Sequence, residues 1–114
     1  LAINLWSSSE AISTLVKFGI TPEKALQAIN NSSGRSWVTQ QRFPDHILTG
    51  TYDYGFSLDL LKKDVDTAIS ICQEHSHMQN PTSFLIHKQS ELLAKAQDKL
   101  EEGADHVEIY KIFE

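Results

Sequence analysis

Apolar residues recur at helical spacing along most of this chain, and no stretch of more than four residues alternates as a half-buried strand would. The clearest stripe consists of Leu58, Leu61, Val65, Ala68, Ile69 and Cys72. Two further stripes consist of Leu1, Leu5, Ile12, Leu15 and Val16, and of Phe84, Leu85, Leu92, Leu93, Ala96 and Leu100. Each stripe predicts a helix with one buried face, and the whole pattern predicts an all-α fold of about six helices.

Residues with strong positional preferences indicate where the first three helices begin and end. Gly19 is placed to end the first helix, and Thr21 followed by Pro22 predicts the start of a second helix that reaches Asn30. Ser36 could cap a third helix. Pro44 is expected to kink or end that third helix, because proline has no amide hydrogen to donate.

The second half of the chain carries similar signals. Ser57 fits the N-cap of a fourth helix that runs to about His75. A fifth helix is expected to begin at Asn80 with Pro81 and to end at Gly103. The last short helix has a capping-box pair, Asp105 and Glu108.

Composition narrows the class of protein. The 114 residues suit a single domain, and the net charge of −5 argues against nonspecific binding to nucleic acid. No apolar run approaches the roughly 20 residues of a membrane span. A single cysteine allows no internal disulfide, which fits a cytoplasmic protein. Cys72, His75 and His77 raise the question of a metal site, but Cys72 continues an apolar stripe, so we expect no metal.

Three motifs in register resemble those of one enzyme family. The segment FSLDLLKKD at residues 56–64 resembles the F-x-L-x-L-x-x-K-D segment of the β-hydroxyacid dehydrogenases, the 3-hydroxyisobutyrate dehydrogenase family. Upstream, SGRSW at residues 33–37 resembles the turn of that family, and SEA at residues 9–11 falls where the family has a helix containing Glu-Ala. Asn4 matches the asparagine of the family's K-x-x-x-N motif, whose catalytic lysine would lie one residue before Leu1.

The resemblance implies a fold similar to the helical C-terminal domain of 6-phosphogluconate dehydrogenase. Members of the family bind NAD or NADP mainly through an N-terminal Rossmann domain with a Gly-rich loop. None of the five glycines here forms a G-x-G-x-x-G motif. We therefore expect residues 1–114 to be the C-terminal substrate and dimerisation domain, with the Rossmann domain absent from this chain.

The resemblance also implies the site residues. It gives catalytic roles to Asn4, Lys63 and Asp64, and substrate contacts to Asn4, Phe56 and Asp64. Lys63 would also contact the cofactor, because the matching lysine reaches over the nicotinamide side of the cleft. An ammonium there can neutralise the carboxylate of a hydroxy acid. Asp64 could either orient Lys63 or bind the substrate.

Without the resemblance, these residues have plainer interpretations. Lys63 would be a solvated lysine that pairs with Asp59 one turn earlier, and Asn4 would be an ordinary helix asparagine. With the resemblance, its register selects Lys63 of the two adjacent lysines, so Lys62 is expected to face solvent.

The sequence therefore predicts the C-terminal domain of an NAD(P)-dependent β-hydroxyacid dehydrogenase. The substrate would be a small hydroxy acid or semialdehyde, the cofactor NAD or NADP, and the assembly a homodimer or a larger homo-oligomer. Neither nucleic acid nor membrane is expected as a partner, and the chain alone is expected to be inactive. The alternative is a non-catalytic, all-helical interaction module.

Overall fold

A computed structural model describes residues 1–74 and 84–114, and these residues form six helices. The helices are α1 (Ala2–Lys17), α2 (Pro22–Asn30), α3 (Val38–Ile47), α4 (Leu58–Glu74), α5 (Phe84–Lys99) and α6 (His106–Phe113). Helix α3 is a π-helix and α6 is a 3₁₀-helix. The described ranges contain no β-strand, which confirms the prediction of an all-α fold. The predicted boundaries at His75 and Asn80 lie outside the described residues.

The core lies where α1 packs against α2, α3 and α6, and it continues into the pair formed by α4 and α5. Its largest fully buried side chains include Leu5, Ile12, Phe43, Leu93 and Ile109. The stripe of α4 is buried at its start, at Leu58 and Leu61, and half-buried from Val65 onward. The other two stripes have buried centres, and their exposed members are Leu1, Val16, Phe84 and Leu85. No helix in the described ranges is long and apolar enough to cross a membrane.

Most of the predicted helix ends are confirmed. Gly19 follows α1 with φ +88°, and the amides of Gly19 and Ile20 donate to the carbonyls of Val16 and Leu15, as in a Schellman motif. The Thr21 and Ser57 hydroxyls accept hydrogen bonds from amides three residues later.

The end of α5 differs from its prediction. The helix stops at Lys99, and Gly103 lies in the following turn, where the Ala104 amide donates to the Glu101 carbonyl at 3.1 Å. The positive φ of Gly103 therefore serves the turn into α6 and does not end α5.

The third helix does not end at Pro44, so that part of the expectation for this residue is wrong. Helix α3 continues through Pro44 to Ile47 with wide turns, and the Leu48 amide donates to the Phe43 carbonyl five residues earlier. In that pattern the missing amide of Pro44 would have reached the Thr39 carbonyl. The side-chain amide of Asn30 donates to this carbonyl instead, at 3.0 Å. A side chain from α2 thus replaces the donor that proline lacks.

Replacing Asn30 with alanine should therefore destabilise the fold by about 1–3 kcal/mol, because the buried Thr39 carbonyl loses its donor. The Pro44→Ala substitution should recover part of this loss in the double variant, since position 44 then carries its own amide. Urea denaturation of both single variants and the double variant measures the coupling. Additive losses would contradict the proposed exchange of donors.

Candidate functional site

A cleft of about 490 Å³ opens between the start of α1, Phe56 (two residues before α4), and one face each of α4 and α5. The described residues that line it are Leu1, Ala2, Ile3, Asn4, Phe56, Leu61, Asp64, Val65, Ala68, Ile86 and Gln89. Three of the residues predicted for the site, Asn4, Phe56 and Asp64, therefore meet in one cavity although they are distant in sequence. Lys63 does not line the cavity, but its ammonium lies 3.8 Å from the Asp64 carboxylate.

The backbone of Phe56 is fixed from two sides. One carboxylate oxygen of Asp105 accepts hydrogen bonds from the amides of Gly55 and Phe56, at 2.6 and 3.1 Å. The Phe56 carbonyl accepts hydrogen bonds from the His106 amide at 2.9 Å and from His106 Nδ1 at 2.8 Å. Gly55 has φ +89°, which a side chain would strain, so this approach to α4 favours glycine. The first turn of α4 is thereby held against α6.

The surroundings of His106 determine which of its nitrogens carries the proton. Its Nε2 lies 3.0 Å from Arg42 Nε, which can only donate, so Nε2 must accept. Its Nδ1 faces the Phe56 carbonyl, which can only accept, so the proton sits on Nδ1. The imidazole is fully buried, and its desolvation lowers the pKa of His106 below the ordinary 6.5. The nearby Arg42 guanidinium acts in the same direction.

The expectation that Lys62 faces solvent is wrong, because Lys62 is held between two helices. Its ammonium donates to Asp66 at 2.6 Å and to Ser90 of α5 at 3.1 Å, and the Ser90 hydroxyl donates to Asp66 at 2.6 Å. The Lys62 bond is the main cause of the lowered pKa of Asp66. The Lys62 side chain is 20% exposed, whereas that of Lys63 is 67% exposed.

The remaining polar groups at the mouth of the cleft are available to a ligand. The side-chain amide of Asn4 makes no hydrogen bond to any residue in the described ranges, and Asn4 is exposed. The ion pair between Lys63 and Asp64 is open to solvent on both sides and stabilises the fold little. Both side chains can therefore reorient toward a bound molecule.

Gln89 is a residue of the cleft that the sequence analysis missed. It is 3% exposed, and its Nε2 has no hydrogen-bond partner among the residues that the structure describes. One signal could have revealed it. Gln89 lies three residues after Ile86 and four before Leu93, so it places a polar side chain on the apolar face of α5.

The cleft is mostly apolar. Asp64 carries the only charged side chain among the described lining residues, and Asn4 and Gln89 carry the amides. Mostly apolar walls with a few polar groups are typical of sites for small organic ligands.

The histidines considered as metal ligands, His75 and His77, lie outside the described residues. In residues 1–74 and 84–114, no group of three or more metal-binding side chains is arranged to hold an ion.

Comparison with known proteins identifies the family. Residues 1–113 match the family described as "NAD-binding of NADP-dependent 3-hydroxyisobutyrate dehydrogenase". This chain belongs to that family, and the expected NAD(P) cofactor is confirmed. The family description assigns NAD binding to the segment that this chain covers.

Three curated relatives are hydroxyacid dehydrogenases by name. The chain is similar to 2-(hydroxymethyl)glutarate dehydrogenase of Eubacterium barkeri, with 35% identity over 65% of this chain and 25% of the relative. It is 27% identical to L-threonate dehydrogenase of Cupriavidus necator over 97% of this chain and 36% of the relative. A probable mitochondrial 3-hydroxyisobutyrate dehydrogenase of Arabidopsis thaliana is also 27% identical, over 99% and 33%. The chain thus spans a quarter to about a third of these relatives.

The buried His106 predicts how stability depends on pH. Its pKa is lower in the folded than in the unfolded chain, so the unfolded state binds more protons below pH 6.5. This contribution to the free energy of unfolding is present above pH 6.5 and is lost as pH falls below it. Urea denaturation at pH 7.5 and 5.5 should show the loss, and His106→Asn should reduce it. If that variant does not fold, a wild-type His106 titration by NMR with a midpoint above 6.5 would refute the assignment.

The unpartnered amide of Gln89 predicts a stabilising substitution. Gln89→Met keeps the volume of the side chain and removes a buried donor, so the free energy of unfolding should rise by about 1 kcal/mol. Gln97 on the same helix is the matched control, because its Nε2 donates to Asp59 at 2.6 Å. Gln97→Met should lower stability or leave it unchanged. Thermal denaturation of both variants tests the contrast, and a destabilised Gln89→Met would contradict it.

Proposed function

We propose that this chain is the C-terminal helical domain of an NAD(P)-dependent β-hydroxyacid dehydrogenase, which closes over the substrate and contributes to its site. One observation carries the proposal. Asn4, Phe56 and Asp64, which the resemblance assigned to the substrate site, line a single cleft. The Lys63 ammonium lies 3.8 Å from the Asp64 carboxylate. The family membership and the names of three relatives support the same class of reaction.

This chain would contact the nicotinamide end of the nucleotide, in keeping with the description of its family, whereas a Rossmann domain outside this chain would bind most of the nucleotide. The chain alone would be inactive. When bound, the nicotinamide supplies the chemistry by exchanging a hydride with the carbon that bears the substrate hydroxyl. The general acid or base would be the lysine of the K-x-x-x-N motif that Asn4 completes. The substrate would be a small 3-hydroxy acid or the corresponding semialdehyde.

Three residues that line the cleft, together with Lys63 beside them, have roles in this proposal. Asn4 donates a hydrogen bond to the substrate without bringing a charge. Lys63 neutralises the substrate carboxylate at the nicotinamide side, and Asp64 orients its ammonium, with which it already pairs at 3.8 Å. Phe56 forms an apolar wall whose position is fixed because its backbone is hydrogen-bonded to Asp105 and His106. Together they hold a charged substrate in a largely apolar cavity.

We also propose that the enzyme is a homodimer or a larger homo-oligomer. Ile71 near the end of α4 is 54% exposed, and Phe84 and Leu85 at the start of α5 are 70% and 56% exposed. Large apolar side chains that are this exposed are typical of protein interfaces. Cys72 is the single cysteine of this chain, so the chain forms no internal disulfide that would require an oxidising compartment. This supports a cytoplasmic enzyme.

The adjacent lysines provide the test of function. In the full-length protein that contains this chain, Lys63→Ala should lower kcat/KM by roughly 30- to 1000-fold, or ~2–4 kcal/mol, with an unchanged Tm. Lys62→Ala is the matched control, because it removes an ammonium that bridges α4 and α5. It should cost about 1 kcal/mol of stability or less and leave kcat/KM nearly unchanged.

Steady-state kinetics with NAD and NADP, together with thermal denaturation, separate the two effects. A loss of kcat/KM in Lys62→Ala at unchanged Tm, with Lys63→Ala fully active, would overturn the assignment of Lys63. Absence of turnover with every small 3-hydroxy acid tried would overturn the proposed reaction.

A further inference from the structure

The wall that Phe56 gives to the cleft is bonded to a buried titratable group. Phe56 lines the cavity, and its carbonyl accepts from the amide and from Nδ1 of His106, at 2.9 and 2.8 Å. The two rings also pack edge to face, with their centroids 5.4 Å apart. His106 is 0% exposed, so protein groups rather than solvent determine its protonation state. The state of this imidazole therefore bears directly on the position of Phe56.

The groups that face His106 come from three parts of the fold. From α3, Arg42 Nε donates to His106 Nε2 at 3.0 Å. From the turn before α6, a carboxylate oxygen of Asp105 lies 2.9 Å from His106 Nδ1. From the segment before α4, the Tyr54 ring packs edge to face on the imidazole at 5.2 Å and contacts the Arg42 guanidinium at 4.1 Å. A neutral imidazole with its proton on Nδ1 fits all of these groups.

A second proton on the imidazole would disrupt this arrangement. It would sit on Nε2, where it points at the N–H of Arg42 and adds a positive charge beside the guanidinium. Arg42 cannot give up its own proton, so one of the two side chains must move. Either the imidazole turns and leaves the Phe56 carbonyl, or Arg42 withdraws and opens the contact between α3 and α6. In both cases the support behind Phe56 is lost.

We propose, on the basis of the proposed function, that His106 is a positioning residue that keeps Phe56 in place for the substrate only while its imidazole is neutral. The enzyme then loses affinity for its substrate at low pH, independently of the general acid or base. Burial, together with the nearby Arg42, holds the pKa of His106 below 6.5, so the site stays intact at neutral pH.

Reduction of a semialdehyde separates His106 from the proposed catalytic lysine. In that direction the lysine must donate a proton, so its titration lowers the rate at high pH and not at low pH. The probes are tartronate semialdehyde and methylmalonate semialdehyde, with NADH or NADPH and the full-length protein that contains this chain. Below the pKa of His106, kcat/KM should fall about tenfold per pH unit, mainly through a raised KM for the semialdehyde. Circular dichroism at each pH verifies that the protein stays folded.

Two substitutions should change this loss at low pH in different ways. Arg42→Gln removes the facing charge, so the loss should begin at a higher pH, closer to 6.5. His106→Asn keeps an amide donor for the Phe56 carbonyl but takes up no proton, so its reduced kcat/KM should be the same at pH 7.5 and 5.5. His46→Asn is the matched control, because His46 also packs against the Tyr54 ring, at 5.2 Å. Its pH profile should match that of the wild type.

Other outcomes would overturn the inference. A loss at low pH that persists in His106→Asn, or that appears in kcat with an unchanged KM for the semialdehyde, would overturn the role of His106 alone. Absence of turnover with both probes at every pH would overturn the proposed function as well. If neither variant folds, the midpoint of the His106 titration by NMR in the wild type must coincide with the midpoint of the loss in kcat/KM. A His106 that takes up its proton without a change in KM would contradict the proposal.

Discussion

The geometry of the cleft depends on the hydrogen bonds that backbone amides donate to the carboxylate of Asp105. One of its oxygens accepts from the Gly55 and Phe56 amides, and the other accepts from the Val107 amide at 3.1 Å in the first turn of α6. A single side chain thereby satisfies backbone donors at the starts of two helices and fixes the distance between them. Since α4 begins at this point, the direction in which α4 carries Lys63 and Asp64 follows from it.

A buried polar group next to Asp105 strengthens the same junction. His106 joins the Phe56 carbonyl to Arg42 of α3, and the Arg42 guanidinium lies 4.1 Å from the centre of the Tyr54 ring. Arg42 and His106 are both buried, so removing either side chain would leave the other with a buried polar group that lacks its hydrogen-bond partner. The cleft thus rests on a hydrogen-bonded support that spans α3, α6 and the residues before α4.

The features that the sequence predicted correctly are those that depend on neighbouring residues. The Schellman turn at Gly19, the cap at Ser57 and the pair formed by Asp105 and Glu108 are each decided within four residues, so local chemistry is sufficient. The convergence of Asn4, Phe56 and Asp64 in one cleft was expected from the family resemblance, because spacing alone cannot bring distant residues together.

The features that were missed depend on partners far away in the chain. Pro44 is accommodated in α3 because Asn30 of another helix replaces its amide. Lys62 pairs with Asp66 one turn later, and it is held between α4 and α5 because Ser90 of α5 also accepts from its ammonium. Neither Asn30 nor Ser90 can be recognised from the residues next to Pro44 or Lys62. Gln89 was different, since its place on the apolar face of α5 was visible in the sequence, but its lack of a partner was not.

The wide turns of α3 have a consequence for how this chain can vary in length. The hydrogen bonds of α3 span five residues, so removing one residue changes which backbone groups pair along the helix and turns the side chains that follow. Deleting one residue between Val38 and Arg42 would rotate Arg42 away from His106 and separate the Asn30 amide from the carbonyl it serves. Among natural variants, we therefore expect insertions and deletions in the exposed turn at residues 31–35 and a constant length in α3.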